Sequence, residues 1–97
     1  RRLPFEVRAP LIRIEAQDHY LNVVTHKGNA LILMRLSDAA AELEGQGMQV
    51  HRSHWIAQKA VTKPRREKGR DMLVMSDGAA VPVSRSYRAA AQQAGFL

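Results

Sequence analysis

Two short runs of the sequence combine arginine and serine beside an apolar stretch. Arg52-Ser53 lies within residues 50–56, and Ser84-Arg85-Ser86 follows the apolar residues 80–83. A guanidinium can donate two parallel hydrogen bonds to guanine O6 and N7 or to a phosphate, and a serine hydroxyl can donate one to a phosphate. Each run therefore carries the donors needed to bind a nucleic acid, next to a predicted strand that would hold them rigidly.

The positive charge of the chain is concentrated in its second half. The net charge is +6, and residues 1–51 contribute none of it because six Lys/Arg balance six acids. Residues 52–97 carry nine basic residues against Glu67, Asp71 and Asp77. Such a distribution favours a polyanionic partner. The alternatives are a solvated basic face or one that lies on an anionic membrane.

Length and composition exclude several classes of protein. The 97 residues fit one domain, 45% are hydrophobic, and no apolar run approaches the roughly 20 residues that a membrane helix needs. With no cysteine, disulfides and thiolate metal sites are excluded, and a cytoplasmic location is expected. The lack of an initial Met or a signal segment indicates an excised domain.

Catalytic and metal-binding motifs are not apparent. The sequence has no paired-carboxylate motif, nucleophile elbow or phosphate loop, so we expect no enzymatic activity. His51 and His54 are three residues apart, a spacing that suits a helix, whereas this stretch is predicted to be loop and strand. We therefore expect neither a metal nor a cofactor.

The apolar patterning predicts a mainly β fold with antiparallel sheets and two short peripheral helices. Residues 26–29 and Asp77-Gly78 are typical of hairpin turns. Helices are predicted from Ser37, as N-cap, to Glu44, and over 86–94 before Gly95. A strand should run from residue 54 to about 62 and end at Pro64, followed by a basic turn over 63–70. Residues 1–10 form an N-terminal extension or linker, in which 5–7 could be an edge strand, and the domain spans 11–97.

Several residues have both a binding and a structural interpretation. Arg85 and Arg88 crowd the start of the second helix, where a phosphate would be favourable, or they reach solvent or an acid. Arg52 could read guanine or pair with Glu15 or Asp77. Asp18-His19 could read a base edge or form an Asx turn. His51 is expected to donate to a backbone carbonyl, and Trp55 to lie in the core. The candidate phosphate contacts from charge alone are Lys59, Lys63, Arg65, Arg66, Lys68 and Arg70.

Three blocks of the sequence, in order, resemble the signature blocks of the LytTR DNA-binding domain. They are residues 14–20 (Ile-Glu-Ala-Gln-Asp-His-Tyr), 50–53 (Val-His-Arg-Ser) and 81–87 (Val-Pro-Val-Ser-Arg-Ser-Tyr), and the resemblance spans about residues 11–90. It implies an elongated β fold whose loops enter successive major grooves of double-stranded DNA, at direct repeats upstream of promoters. Such domains are commonly fused to an N-terminal receiver or membrane-sensor domain in bacterial regulators.

The resemblance also implies roles for individual residues. It assigns base contacts to His19 or Tyr20, Arg52 and Arg85. It assigns phosphate contacts to Ser53, Ser86 and Arg88, with further contacts from Lys59 and Arg70. Position and charge add Lys63 and Ser84 as phosphate contacts. The family's aromatic residue after His-Arg-Ser is replaced by His54, and its asparagine by Ala57. A cytoplasmic location follows, for the domain itself or for the cytoplasmic part of a membrane-anchored regulator, and both monomer and dimer remain open. The rival functions are a signalling or oligomerisation module with weak, non-specific DNA binding, and a metal-dependent nuclease.

Overall fold

A computed structural model describes residues 10–97, in which eight strands form two antiparallel sheets. In chain order the elements are β1 (Leu11–Gln17), β2 (Tyr20–Thr25), β3 (Gly28–Leu33), α1 (Leu36–Glu42), β4 (Gly47–His51), β5 (His54–Ala57), a 3-10 turn (Gln58–Ala60), β6 (Val61–Glu67), β7 (Arg70–Met75), β8 (Ala80–Pro82) and α2 (Arg85–Gln93). The large sheet has the order β3-β2-β1-β5-β4, and the small sheet the order β6-β7-β8. The predicted mainly β fold with two short helices is confirmed, and its elongated extents are 36 × 24 × 24 Å.

The large sheet supplies most of the hydrophobic core. Strict alternation along β1 and β2 turns Ile12, Ile14, Leu21 and Val23 to one face, where all four are buried. Trp55 on β5 is 1% exposed in the same core, as predicted. Each such side chain stabilises the fold by roughly 1.5–3 kcal/mol through burial. The sheet is therefore a firm base for the turns at its edges.

Strand β4 is held close to β5 by a glycine. A Cβ built on Gly47 would overlap the Ile56 carbonyl oxygen and lie 2.6 Å from Trp55 Cζ2. Only glycine lets the two backbones approach over the tryptophan ring. The predicted loop leading into a strand at residue 54 is confirmed by the turn at residues 52–53, but the preceding strand was not predicted: residues 47–51 form β4, and residues 47–57 form a hairpin.

The small sheet differs from its predicted layout. The strand expected to continue to residue 62 is interrupted by the 3-10 turn, and Pro64 lies inside β6 instead of ending a strand. Strand β6 is an edge strand that pairs only with β7, and a proline is compatible with a strand in that position. The turn is confined to Lys68-Gly69, whereas the predicted Asp77-Gly78 hairpin is confirmed.

Both helices begin earlier than predicted, α1 by two residues and α2 by one. Helix α1 starts at Leu36 with Arg35 at the N-cap position, so Ser37 lies in the first turn and the predicted serine cap is wrong. Helix α2 starts at Arg85 after Ser84 and ends at Gln93, and the predicted closure by Gly95 is confirmed because Gly95 follows the C-cap Ala94 with φ of 87°. The N–H groups of Gly95 and Phe96 bond back to the carbonyls of the last helical turn. The strand considered over residues 5–7 falls outside the described residues.

Candidate nucleic-acid interface

Two backbone hydrogen bonds tie together the three polar blocks singled out in the sequence. The N–H of Ala16, just before the β1–β2 turn, donates to the Ser53 carbonyl over 2.8 Å. The N–H of Ser84, just before α2, donates to the Val50 carbonyl over 2.9 Å. The β4–β5 hairpin therefore lies between the other two blocks and fixes their positions. These bonds bring the predicted base-contacting residues into neighbouring parts of the structure.

The β1–β2 turn projects two exposed side chains. Asp18 adopts a left-handed backbone conformation with φ of 53°, and His19 and Tyr20 follow it on the surface. The Asp18 carboxylate makes no hydrogen bond within residues 10–97, which argues against the Asx turn considered above. The side chains of this turn remain available to an external partner.

The β4–β5 turn is closed by a histidine that accepts a hydrogen bond. His51 Nδ1 accepts from the Ser53 N–H over 3.0 Å, and Gln49 Nε2 donates to the His51 carbonyl over 3.1 Å. The predicted structural role of His51 is right, but the expected donation to a carbonyl is not what closes the turn. This arrangement places Arg52 at the tip, where its side chain is exposed.

Arg52 makes no ion pair within the described chain. Both acids considered as its partners are taken by Arg13, whose guanidinium lies 3.6 Å from Glu15 and 3.0 Å from Asp77. The ion-pair interpretation of Arg52 is therefore wrong. Burial acts to raise the pKa of Asp77, but hydrogen bonds from the Ala79 N–H and from Arg13 outweigh it and lower that pKa. The guanidinium of Arg52 is left without a partner carboxylate.

His54 is the polar side chain beneath this turn. Its ring meets that of His51 edge to face at a centroid distance of 5.2 Å. Burial lowers the pKa of His54, against the opposing influence of the Glu15 carboxylate. Its Nδ1 is buried without a hydrogen-bond partner in the described structure. His54 therefore packs against His51 beneath the turn, where burial disfavours its charged form.

The start of α2 presents one free arginine and one paired arginine. Arg85 is exposed and makes no ion pair with residues 10–97, whereas Arg88 Nε donates to Asp71 Oδ2 over 2.6 Å. The Ser84 and Ser86 hydroxyls lie 3.3 Å apart. In this structure the Arg88 guanidinium therefore reaches an acid, and the Arg85 guanidinium reaches solvent.

Two clefts contain most of the predicted contact residues. A cleft of about 640 Å³ is lined by His19, Tyr20 and Arg52 together with Arg35 and Gln49, which sequence reasoning did not select. The other, of about 320 Å³, lies on the far side of the β4–β5 hairpin. Its lining includes His51, Arg70, Ser84, Arg85 and Arg88. The two clefts share the hairpin as a common wall.

Two predicted phosphate contacts lie away from these clefts. Lys59 is on the 3-10 turn and lines a separate depression with Pro10 and Leu11, and Lys63 is on β6. Residues 10–97 contain no group of three or more side chains placed to hold a metal ion. No helix in that part of the chain is long and apolar enough to cross a membrane.

The architecture defines a class of small antiparallel β domain that presents cationic side chains at hairpin turns and at one helix start. In a search of solved structures, the fold matches the LytTr DNA-binding domain of a putative methyl-accepting/DNA response regulator from Bacillus cereus. The TM-score is 0.80 and the sequence identity 20%, over 91% of this chain and 83% of that one. The sequence profile described as the LytTr DNA-binding domain matches residues 9–95, and the chain belongs to this family.

A search of curated proteins found no match. The family is a DNA-binding class and not an enzyme class. The predicted family and mainly β fold are thus confirmed.

Proposed function

We propose that this domain binds double-stranded DNA sequence-specifically in the major groove, as the output domain of a bacterial transcriptional regulator. The observation that carries the proposal is the state of Arg52 and Arg85. Both are exposed, and neither has an ion-pair partner in residues 10–97. Arg52 lies on the β4–β5 turn and Arg85 at the start of α2, and a backbone hydrogen bond of a neighbouring residue fixes each position. A free guanidinium on a rigid support suits bidentate donation to guanine O6 and N7.

The remaining predicted contact residues form two groups, those that would read a base and those that would bind phosphate. His19 or Tyr20 would read a second base position from the β1–β2 turn. The hydroxyl and cationic groups would hold phosphates and set the register of the protein on the duplex. Those groups are Ser53, Lys59, Lys63, Arg70, Ser84, Ser86 and Arg88. Arg88 already pairs with Asp71 through Nε, so it would approach a phosphate while keeping that contact.

The cellular setting is part of the proposal. We infer recognition of direct-repeat promoter sites, fusion to an N-terminal receiver or membrane-sensor domain, and a cytoplasmic location. The matching domain from Bacillus cereus is described as part of a putative methyl-accepting/DNA response regulator, which supports the second inference by analogy. Occupancy of direct repeats does not require a two-fold symmetric dimer.

The proposal is tested by selecting bound duplexes from a random pool at near-physiological salt. We expect one enriched motif for the wild-type domain. In Arg52→Ala or Arg85→Ala, discrimination at one guanine position should fall by about 1–3 kcal/mol, which is roughly 5- to 150-fold in affinity. Retention of DNA without any enrichment would leave only a basic surface and would overturn the assignment.

A matched pair of variants separates base reading from charge. Arg52→Lys keeps the charge but removes the guanidinium fork, so it should lose sequence preference with an unchanged dependence of affinity on salt. Lys63→Ala should weaken specific and random DNA alike and reduce the magnitude of the salt slope by about 0.9. Equal losses of affinity for specific and random DNA in both variants would contradict the proposal.

One observation favours the second candidate, a signalling or oligomerisation module of the same fold. Three large apolar side chains are exposed in the described structure: Tyr20 at 49%, Leu31 at 60% and Leu33 at 66%. An exposed apolar group of this kind is a common feature of protein interfaces. Sedimentation of the domain with and without DNA separates the two candidates, because self-association in the absence of DNA would favour the oligomerisation module.

A further inference from the structure

The exposed apolar side chains all lie at one corner of the large sheet. Strand β3 is an edge strand, and its residues Leu31 and Leu33 point away from the core, whereas Ile32 between them is buried. Tyr20 is the cross-strand partner of Leu33 in the β2–β3 register. A tyrosine ring beside a leucine forms a contiguous apolar spot at the end of the β1–β2 hairpin. Apolar surface of this kind gains free energy when a partner covers it.

The two leucines are not in equivalent surroundings. Leu33 and Tyr20 line the cleft of about 640 Å³, which also contains His19 and Arg52. Leu31 does not line that cleft, and its cross-strand partner is Asn22. Leu33 thus lies on the same surface as two predicted base-reading side chains, and Leu31 is displaced from it by two residues. This difference supplies a natural control.

One arginine of the cleft lining has no ion pair among the described residues. Arg35 and Asp38 lie 4.0 Å apart at the start of α1, whereas Arg52 is unpaired there. The Asp18 carboxylate also lines the cleft, at the β1–β2 turn. A duplex that approaches Arg52 through its major groove would bring neighbouring base edges towards the Tyr20–Leu33 spot. The apolar spot is therefore continuous with the proposed base-reading surface.

One major-groove feature of a base pair is apolar, the 5-methyl group of thymine. We propose that Leu33, supported by the Tyr20 ring, is a specificity-determining residue that contacts a thymine methyl group beside the guanine read by Arg52. This inference rests on the proposed function and adds to it a base preference that hydrogen bonding alone does not supply. The polar residues of the two turns read donors and acceptors, and Leu33 reads a methyl group.

The test replaces each thymine of the selected duplex, one at a time, by deoxyuridine. This change removes the 5-methyl group and leaves Watson–Crick pairing and backbone charge unchanged. At one thymine next to the Arg52 contact, we expect deoxyuridine to weaken wild-type binding about fourfold, the loss of one buried methyl-sized group. In Leu33→Ala the thymine and deoxyuridine duplexes should bind equally, whereas Leu31→Ala should keep the wild-type difference.

The outcomes distinguish this inference from the proposed function. If a motif is enriched but Leu33→Ala keeps the wild-type penalty at every thymine, the methyl contact is wrong and sequence-specific binding stands. If Leu33→Ala instead converts a dimer to a monomer without changing thymine preference, a second copy of the chain covers this spot and the inference is overturned. If no motif is enriched, the proposed function fails and the inference fails with it.

Discussion

The two sheets of this domain are built for different tasks. The large sheet buries its inward side chains almost completely and carries the two hairpin turns with His19 and Arg52. In the small sheet, every residue of β6 after Val61 is exposed. One sheet holds side chains in defined positions, and the other displays charge over an open surface.

The arginines show the same difference. In the small sheet Arg65 pairs with Glu67 at 3.0 Å and Arg66 with Asp71 at 3.3 Å, so part of the positive charge is offset locally. Arg52, at the tip of the large sheet, has no such partner in residues 10–97. Surface pairs of this kind contribute little to stability, and they are readily exchanged for phosphates. Under the proposed function, base reading by Arg52 would therefore depend on the large sheet, and part of the general DNA affinity on the small sheet.

The largest expected effect on the free energy of unfolding is the difference between two glycine-to-alanine substitutions, one in each sheet. Gly47→Ala should lower the free energy of unfolding by about 3 kcal/mol, because the new methyl group meets the Ile56 carbonyl and Trp55. Gly69→Ala, in the β6–β7 turn with φ of 79° and open space around it, should cost only about 1 kcal/mol of backbone strain. Urea denaturation measures both. Equal costs would show that the two sheets do not differ in packing.

An intermediate effect is expected where the small sheet is anchored to α2. Asp71 accepts from Arg66 and Arg88, and its side chain is only 12% exposed. Asp71→Asn should therefore destabilise the domain by about 1.5 kcal/mol, since charge-assisted bonds are lost. Glu67→Gln removes the same charge from an exposed pair and should cost less than about 0.5 kcal/mol. Similar losses in denaturant titrations of the two variants would mean that Asp71 is not an anchor.

The smallest expected effect is the pH dependence of the free energy of unfolding that arises from His54 in the large sheet. Burial lowers the pKa of His54 in the folded state, so below about the ordinary value of 6.5 the unfolded chain binds a proton more readily and stability falls as pH decreases. Stability should be lower at pH 5.5 than at pH 7.5, and His54→Phe should reduce that difference. At pH 7.5 the same variant should gain up to about 1 kcal/mol, because the unpartnered Nδ1 is removed.

His26→Phe is the control for that measurement, since His26 is exposed in the β2–β3 turn. It should leave the difference in unfolding free energy between the two pH values unchanged. The lowered pKa of Asp77 acts in a separate range, because its ordinary value is 3.8 and its contribution is lost only as pH falls below that. An unchanged pH response in His54→Phe would contradict the assignment to His54.

Local patterns predicted most of the fold. Trp55 in the core, the Asp77-Gly78 hairpin and the helix end at Gly95 follow from residue type and spacing within a few positions. Strand β4 was missed because its pairing with β5 depends on the fit of Gly47 over Trp55, which is a tertiary contact. Pro64 was misjudged because a proline is compatible with a strand when that strand is at a sheet edge.

The candidate site was predictable in its parts but not in its assembly. The polar blocks around residues 18–20, 52–53 and 84–88 are visible in the sequence. That Arg13 pairs with Asp77, 64 residues away along the chain, is not, and this contact occupies one of the acids considered as partners of Arg52. The exposed position of Leu33 also depends on β3 being an edge strand. Non-local pairing therefore decides which of the candidate side chains are free.

The two backbone hydrogen bonds that join the turns have a consequence for how such domains diverge. Main-chain groups are the same in nearly every residue type, so the bonds from Ala16 to Ser53 and from Ser84 to Val50 do not depend on side-chain identity. Under the proposed function, substitutions at the tips would change the bases that are read while the tips keep their places. The fold shared with the Bacillus cereus domain at 20% identity shows that this architecture tolerates wide variation in side chains.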